Sequence, residues 1–432
     1  MLLTDISFLF YFFPLFLAVY YITSEKQKHL TVVAGSLVFY ALQDGVGPWQ
    51  LVLLLVIVGF TWILGTTGFQ IPGAAFLAAL LILFKIFRGG SFLATGMSFY
   101  LFQMMAYLVD VKRKRLDPEP DLASFGAQIL LFPKLLSGPL MEPLQLKAQM
   151  ANPKFNRFRF RGGLQELILG LSMKVLLADR LAGLWNQAAV IGYDSIGAGL
   201  AWAALVGFGL RLYFDFHGYS LIAVGLGKML GFLLPPNFND PYAARSVSDF
   251  YNRWHMTLYR WFREYIYFPL GGSRKGKLRT VLNVLIVWVI TGLWHGIGGN
   301  YLLWAMFLAF WIIQEKMWLG KVLKRTFVFA HVYTVVLILL SWVPFAIGDW
   351  GQMVEFLQSL FRFENFSNSL SAIYNYLPIL CIGIILASPL TGMLFERFRE
   401  SVIFDVLLFG LFWVCIYFIS TASQDPFLYF SF

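Results

Sequence analysis

Apolar stretches long enough to cross a membrane recur along almost the whole chain, separated by short polar turns. The first covers residues 6–23, and others follow at about 30–43, 50–69, 72–87 and 92–111. Beyond them lie 122–142, 163–190, 196–234, 279–297, 300–317, 326–347, 373–395 and 402–421. A bilayer core takes roughly 20 apolar residues per helix, so the pattern predicts an all-α polytopic membrane protein of about 11–12 helices. The first run lacks a basic leader and a small-residue cleavage site, and is read as a transmembrane helix entering from outside. Nothing repeats at a period typical of solenoids. A single membrane-embedded domain over residues 1–432 is expected, its chemistry concentrated in about 92–317.

Three stretches depart from the simple pattern. Pro133, Lys134 and Pro139 interrupt the run 122–142. Proline breaks or kinks a helix, and irregular backbone at membrane depth must be buried in protein or line a cavity. A re-entrant or broken element is predicted there. The run 196–234 has 39 residues and carries Arg211, Asp215 and His217 in its middle. Either two helices meet in it or one long helix tilts across the protein. The third stretch, Arg253 to Ile266, is amphipathic when wound as a helix. Trp254, Leu258, Trp261, Phe262, Tyr265 and Ile266 fall on one side, and Arg253, Thr257, Arg260, Arg263 and Glu264 on the other. Such a helix is expected to lie in the interface or inside a thinned part of the protein, and not to span. His255 sits with its apolar face. The preceding SVSD has the form of a helix cap, with Ser246 or Ser248 as the capping residue.

Composition agrees with a membrane protein. Of the 432 residues 59% are hydrophobic and only 13% charged, against about 25% charged in soluble domains. The net charge of +10 points to topology and not to nucleic acid. Its sources are short basic segments: Lys26 and Lys28, KRKR from Lys112 to Arg115, residues 143–162 with Lys147, Lys154, Arg157, Arg159 and Arg161, and RKGK from Arg274 to Lys277. These suit cytoplasmic loops against anionic lipid. Lys85 and Arg88 fall on the opposite side. Cys381 and Cys415 lie in apolar runs and read as neither a disulfide nor a metal pair.

Candidate chemistry gathers between residues 210 and 299, where His217, His255 and His295 lie. Ionisable groups are costly within a bilayer and mark a site by default. From the basic turn at Lys277 a helix rises about 27 Å to His295, which Gly292, Gly296, Gly298 and Gly299 bracket. The same pattern also fits a tight helix end with a hydrogen-bonded structural histidine. The three histidines are 38 and 40 residues apart, which is not local metal-ligand spacing, so no metal site is assigned. Nucleophile-elbow, phosphate-loop and zinc-protease motifs are absent. GLGKMLG, from Gly225 to Gly231, follows an apolar helix instead of a strand and is read as a packing surface.

Together these stretches resemble the membrane-bound O-acyltransferase (MBOAT) family, most closely its alginate O-acetyltransferase (AlgI-like) branch. The resemblance is carried by GMSFYLFQMMAYLVDV from Gly96 to Val111, FPKLLSGPL, LYFDFHGYS, GLGKMLGF, PPNFNDPY, RWHMTLYRWFREYIYFPLGGSR, LWHG and the ending PFLYFSF. It implies a ring of tilted helices with re-entrant and interfacial helices around a thin central funnel or tunnel. It implies acyl transfer from a thioester to a hydroxyl, with His295 as the catalytic residue and His255 as the second motif position. Asp215, Tyr219, Arg253, Trp254, Trp294 and Asn300 are then expected to line the site. His255, Asn300 or Tyr219 would orient the donor or stabilise the oxyanion. The chain departs from the family pattern at His217, where serine is usual, at Leu221, where aspartate is usual, and at Glu264, where aspartate is usual; His217 stays unassigned.

A neutral imidazole can take the proton of an attacking alcohol, typically contributing about 10²–10⁴-fold. The expected donor is acetyl-CoA or an acyl-carrier thioester from the cytoplasm, with no permanently bound cofactor. The expected acceptor is an extracytoplasmic cell-wall or exported polysaccharide, reached directly or through an SGNH-type partner, from a bacterial cytoplasmic membrane. Two alternatives stand beside this: D-alanyl transfer from a carrier protein to teichoic acid, and a channel or flippase without chemistry. No inverted repeat favours the latter.

Overall fold

A computed structural model describes residues 1–86, 96–150, 153, 155–363 and 371–421, and every regular element among them is helical. Arg88, Lys154 and the ending PFLYFSF lie outside the described residues. Among the described residues six helices are long and apolar enough to cross a membrane: Pro48–Thr66, Ala198–Met229, Lys277–His295, Gly299–Leu323, Phe327–Ala346 and Val402–Thr421. Leu377–Leu386 and Pro389–Phe398 form a further apolar pair bent by 69°. The chain is thus an all-α polytopic membrane protein. Among the described residues, full-length spans are fewer than the apolar runs because some runs form shorter helices, as in Lys28–Ala41 with 14 residues.

The chain folds into two compact units that alternate along the sequence. The first comprises Met1–Leu171, Gly218–Pro236 and Asp405–Ser431, and it contains the proline-broken element. Helix Leu122–Leu130 starts on Asp121, whose carboxylate accepts Ser124 N–H at 2.7 Å. It stops at Leu131, and a single turn, Phe132–Leu135, follows. Pro133 lies at the start of that turn, where a missing N–H costs nothing. Residues 131–141 are all buried. The Phe132 ring meets Phe12, Phe16 and Phe39 at 5.2–5.6 Å between centroids, and its N–H is taken by the Ser36 hydroxyl. Lys134 is fully buried and donates to Gln103. The irregular backbone is therefore enclosed in protein, as its composition required.

In the same unit, helix Arg157–Ser172 crosses residues 218–229 of the long helix on glycine. A methyl group on Gly163 would lie 2.5 Å from the Gly225 carbonyl oxygen, and one on Gly170 would lie 2.4 Å from that of Gly218. Backbones this close need glycine on both faces. Lys228 closes the crossing with an ion pair to Glu166 at 2.5 Å. GLGKMLG is accordingly a packing surface.

The second unit comprises Ser172–His217 and Asn237–Phe404. Residues 196–234 resolve into one continuous helix of 32 residues, Ala198–Met229, about 48 Å long. Its N-terminal two thirds belong to this unit. The spans Lys277–His295 and Gly299–Gln314 form a hairpin. They meet at Gly292, where a methyl group would sit 2.9 Å from the Ala305 side chain and 3.0 Å from the Tyr301 carbonyl.

Replacing Gly225 with valine forces side-chain atoms against the Gly163 carbonyl. Gly225→Val is expected to cost about 1–3 kcal/mol, as overpacking does, and to lower the melting temperature in detergent. Gly392→Ala, at a helical glycine with nothing within 4 Å, is the control and should leave melting unchanged or slightly raised.

Candidate active site

The structure corrects the sequence reading of the segment around His255. In place of one helix from Arg253 to Ile266 there are two short ones, Val247–Arg253 and Met256–Phe262, and His255 stands between them with φ 44° and ψ 52°. That left-handed conformation is uncommon for a residue with a side chain and costs of order 1–3 kcal/mol, so the surroundings must impose it. Both flanking helix starts are held from elsewhere. Ser246 caps the first, accepting Asp249 N–H at 2.9 Å. The Glu315 carboxylate accepts Val247 N–H at 2.6 Å and Ser248 N–H at 2.9 Å, and also takes the Ser248 hydroxyl. An anion at a helix N-terminus is favourable. Of the two possible caps, Ser246 is the one used.

Asn237 holds the start of the second helix. Its backbone oxygen accepts Met256 N–H at 2.9 Å, and its side-chain oxygen accepts the Thr257 N–H at 3.3 Å and the Thr257 hydroxyl at 2.6 Å. With Asn237 serving those donors, the preceding helix cannot continue through His255. Thr257, assigned to the polar face, is buried for the same reason. The predicted apolar residues Trp254, Leu258 and Phe262 are buried, and Arg263 is exposed.

The proposed catalytic histidine is the last residue of its helix. His295 ends Lys277–His295, 4% exposed, with Trp294, Trp304 and Phe345 edge-on at 4.5–5.2 Å and Tyr301 stacked at 6.5 Å. The basic turn at the other end is exposed at Arg274, Lys275 and Lys277. Asn283 ties that turn to the helix, donating to the Gly272 carbonyl at 2.8 Å.

One unbroken series of ring contacts joins the histidines. His255 meets Phe216 at 4.6 Å, Phe216 meets Phe238 at 5.2 Å, and Phe238 meets Trp254 at 5.1 Å. From Trp254 the series passes to Trp342 at 5.4 Å, Phe345 at 5.5 Å and His295 at 5.2 Å. His217 joins at Phe238, 5.1 Å away, and its Nδ1 lies 3.0 Å from the Tyr213 hydroxyl. An aromatic surround of this kind excludes water and strengthens any polar interaction inside it.

The remaining expected site residues sort by what they touch. Asp215 is buried in an ion pair with Lys174 at 2.8 Å, and Lys174 also reaches Asp179 at 2.7 Å. Arg253 pairs with Asp249 at 3.0 Å and donates to the Asn239 carbonyl, bracing the loop that carries Asn237. Asn300 donates to the Pro344 carbonyl at 3.0 Å, and so fastens its helix to Phe327–Ala346. Trp294 packs on His295. Tyr219 belongs to the first unit, buried and hydrogen-bonded with the Ser137 backbone. Sequence reasoning missed Lys174 and Asn237. A lone lysine inside the apolar run 163–190 was a signal for the first; the second lay inside the quoted PPNFNDPY.

Lys174→Met would take the paired cation away from the buried Asp215 and from the partly exposed Asp179. A loss of about 3–5 kcal/mol is expected, seen as a lower detergent melting temperature and less folded protein in the membrane. Adding Asp215→Leu should recover part of that loss.

The sequence is similar to known proteins over most of its length. A model of the membrane-bound O-acyltransferase family, MBOAT, matches residues 6–358. The chain is 30% identical over 383 residues to the probable alginate O-acetylase AlgI of Pseudomonas fluorescens, spanning 84% of this chain and 76% of that one. It is 33% identical over 244 residues to the peptidoglycan O-acetyltransferase of Helicobacter pylori, covering 50% of this chain and 46% of the relative. Similarity extends to the teichoic acid D-alanyltransferase of Bacillus subtilis, 27% identical over 232 residues, or 50% of this chain and 56% of the relative. Both buried motif histidines fall inside the family match, in a chain whose apolar helices are built to cross a bilayer: it belongs to the membrane-bound O-acyltransferase family and is an acyltransferase.

Proposed function

We propose that this enzyme moves an acyl group, acetyl in the first instance, from a cytoplasmic thioester to a hydroxyl of an extracytoplasmic polysaccharide, with His295 as the base. The observation that carries the reading is the placement of His295. It ends a membrane helix whose opposite end is an exposed basic turn, and it is enclosed by aromatic rings. That arrangement supports a donor, acetyl-CoA or an acyl-carrier thioester, approaching from the charged end and reacting at the enclosed histidine. The names of the relatives support a polysaccharide or cell-wall acceptor: they act on alginate, peptidoglycan and teichoic acid.

The chemistry follows from the imidazole. The acceptor hydroxyl gives its proton to a neutral ring nitrogen as its oxygen attacks the thioester carbon. The tetrahedral intermediate then collapses, the C–S bond breaks, and the departing thiolate takes the proton back. A ring with an unperturbed pKa near 6.5 can do both steps near neutral pH. Transfer would run straight to the polymer or through an acyl-accepting partner of the SGNH type on the outer face, from a bacterial cytoplasmic membrane. Direct contact with a lipid bilayer is part of either route.

The test is the ester content of the cell's own polymers. Cells carrying His295→Ala, with the protein at wild-type level in the membrane, should lose polymer-bound ester by about 10²-fold or more. Mild base releases the acid for identification: acetate supports the reading, and D-alanine replaces its acyl group. Ester content equal to wild type in the variant would remove His295 from the reaction.

A further inference from the structure

Asn237 is 1% exposed and makes one contact beyond those that start the second helix. Its side-chain oxygen lies 3.2 Å from His255 Nδ1. The identity of that Asn237 atom follows from its other partners. A backbone N–H can only donate, so the atom facing Thr257 N–H has to be the carbonyl oxygen; turning the amide over would set two donors against each other. The same oxygen then faces His255 Nδ1. Two lone pairs cannot form a hydrogen bond, so Nδ1 must carry a proton. The left-handed backbone at His255 fixes where the ring can point, and the edge-on Phe216 ring at 4.6 Å supports it from the side.

We infer that Asn237 is a positioning residue that holds the neutral His255 ring as its Nδ1–H tautomer and so places the lone pair on Nε2. The hydrogen bond at one ring nitrogen sets what the other can do. In this tautomer Nε2 accepts and does not donate. His255 therefore recognises a group that brings its own hydrogen, such as a hydroxyl or an amide N–H. In its neutral form it cannot donate from Nε2 to a thioester oxyanion. Of the two roles expected for the second motif histidine, the tautomer supports orienting a substrate through a hydrogen it donates and excludes oxyanion stabilisation by the neutral ring. This substrate role rests on the acyl-transfer reading above; the tautomer itself does not.

Nitrogen-15 NMR of the full-length protein, labelled at histidine and held in nanodiscs, reads the tautomer without reference to activity. The His255 signals are identified by their loss in His255→Asn. At a pH where the ring is neutral, the expected spectrum has a protonated, pyrrole-type Nδ1 and a bare, pyridine-type Nε2. Asn237→Leu should abolish that preference and lower kcat by about 10²-fold or more, while Asn237→Asp, which keeps the acceptor oxygen, should retain both the tautomer and most of the activity. A pyridine-type Nδ1 in the wild type would overturn the inference. So would an unchanged tautomer in Asn237→Leu. If that variant does not fold, the wild type and Asn237→Asp still decide, since a pyridine-type Nδ1 in either refutes it. An Nδ1–H tautomer together with undiminished transfer in His255→Asn would preserve the positioning by Asn237 and refute only the substrate role.

Discussion

A polar group buried inside a protein has no water to bind, so its hydrogen bonds must come from neighbouring residues. Asn237 shows what that requirement does to the fold. One buried asparagine serves Met256 through its backbone carbonyl and Thr257 and His255 through its side-chain oxygen. To do so it ends one helix, starts another and leaves a histidine in a left-handed conformation between them. Glu315 does the same work for the preceding helix start. Removing either anchor would free the chain to wind straight through residue 255, and the ring would point elsewhere.

The same constraint explains the charged groups. Asp215 and Lys174 are each about 2% exposed, and a buried charge persists only where a partner compensates the lost hydration. Their pair secures the long helix against the segment that follows Arg157–Ser172. In the first unit, Pro133 and the short turn after it survive at depth because the Phe132 ring and the Ser36 hydroxyl close around them. Glycine does the complementary work where backbones meet, at Gly163 and Gly225 in one unit and at Gly292 in the other. The His217 ring lies within hydrogen-bond distance of the Tyr213 hydroxyl and packs on Phe238.

What could be read in the sequence was whatever is encoded locally. Apolar runs marked the helices, the two prolines marked the broken element, and a basic turn followed by an apolar stretch and glycines marked the helix ending at His295. Ser246 could be named as a cap because a cap acts over three residues. The break at His255 could not be read, since Arg253 to Ile266 has a sound helical period and its interruption is dictated by Asn237, eighteen residues upstream in a different loop. The partner of Asp215 was hidden for the same reason: Lys174 is 41 residues away. The hydrogen bond from Asn300 to the Pro344 carbonyl, 44 residues on, was hidden in the same way. Long-range pairing of single polar residues leaves no periodic trace.

The central claim is that His295, in its aromatic enclosure, takes the proton of the attacking hydroxyl. The most direct measurement uses purified protein in nanodiscs, a thioester donor carrying labelled acetyl and a soluble oligosaccharide acceptor. The account predicts label on the acceptor in a base-labile ester, with kcat reduced by about 10²–10⁴-fold in His295→Ala of unchanged melting temperature. Label transferred by that variant at the wild-type rate would contradict it.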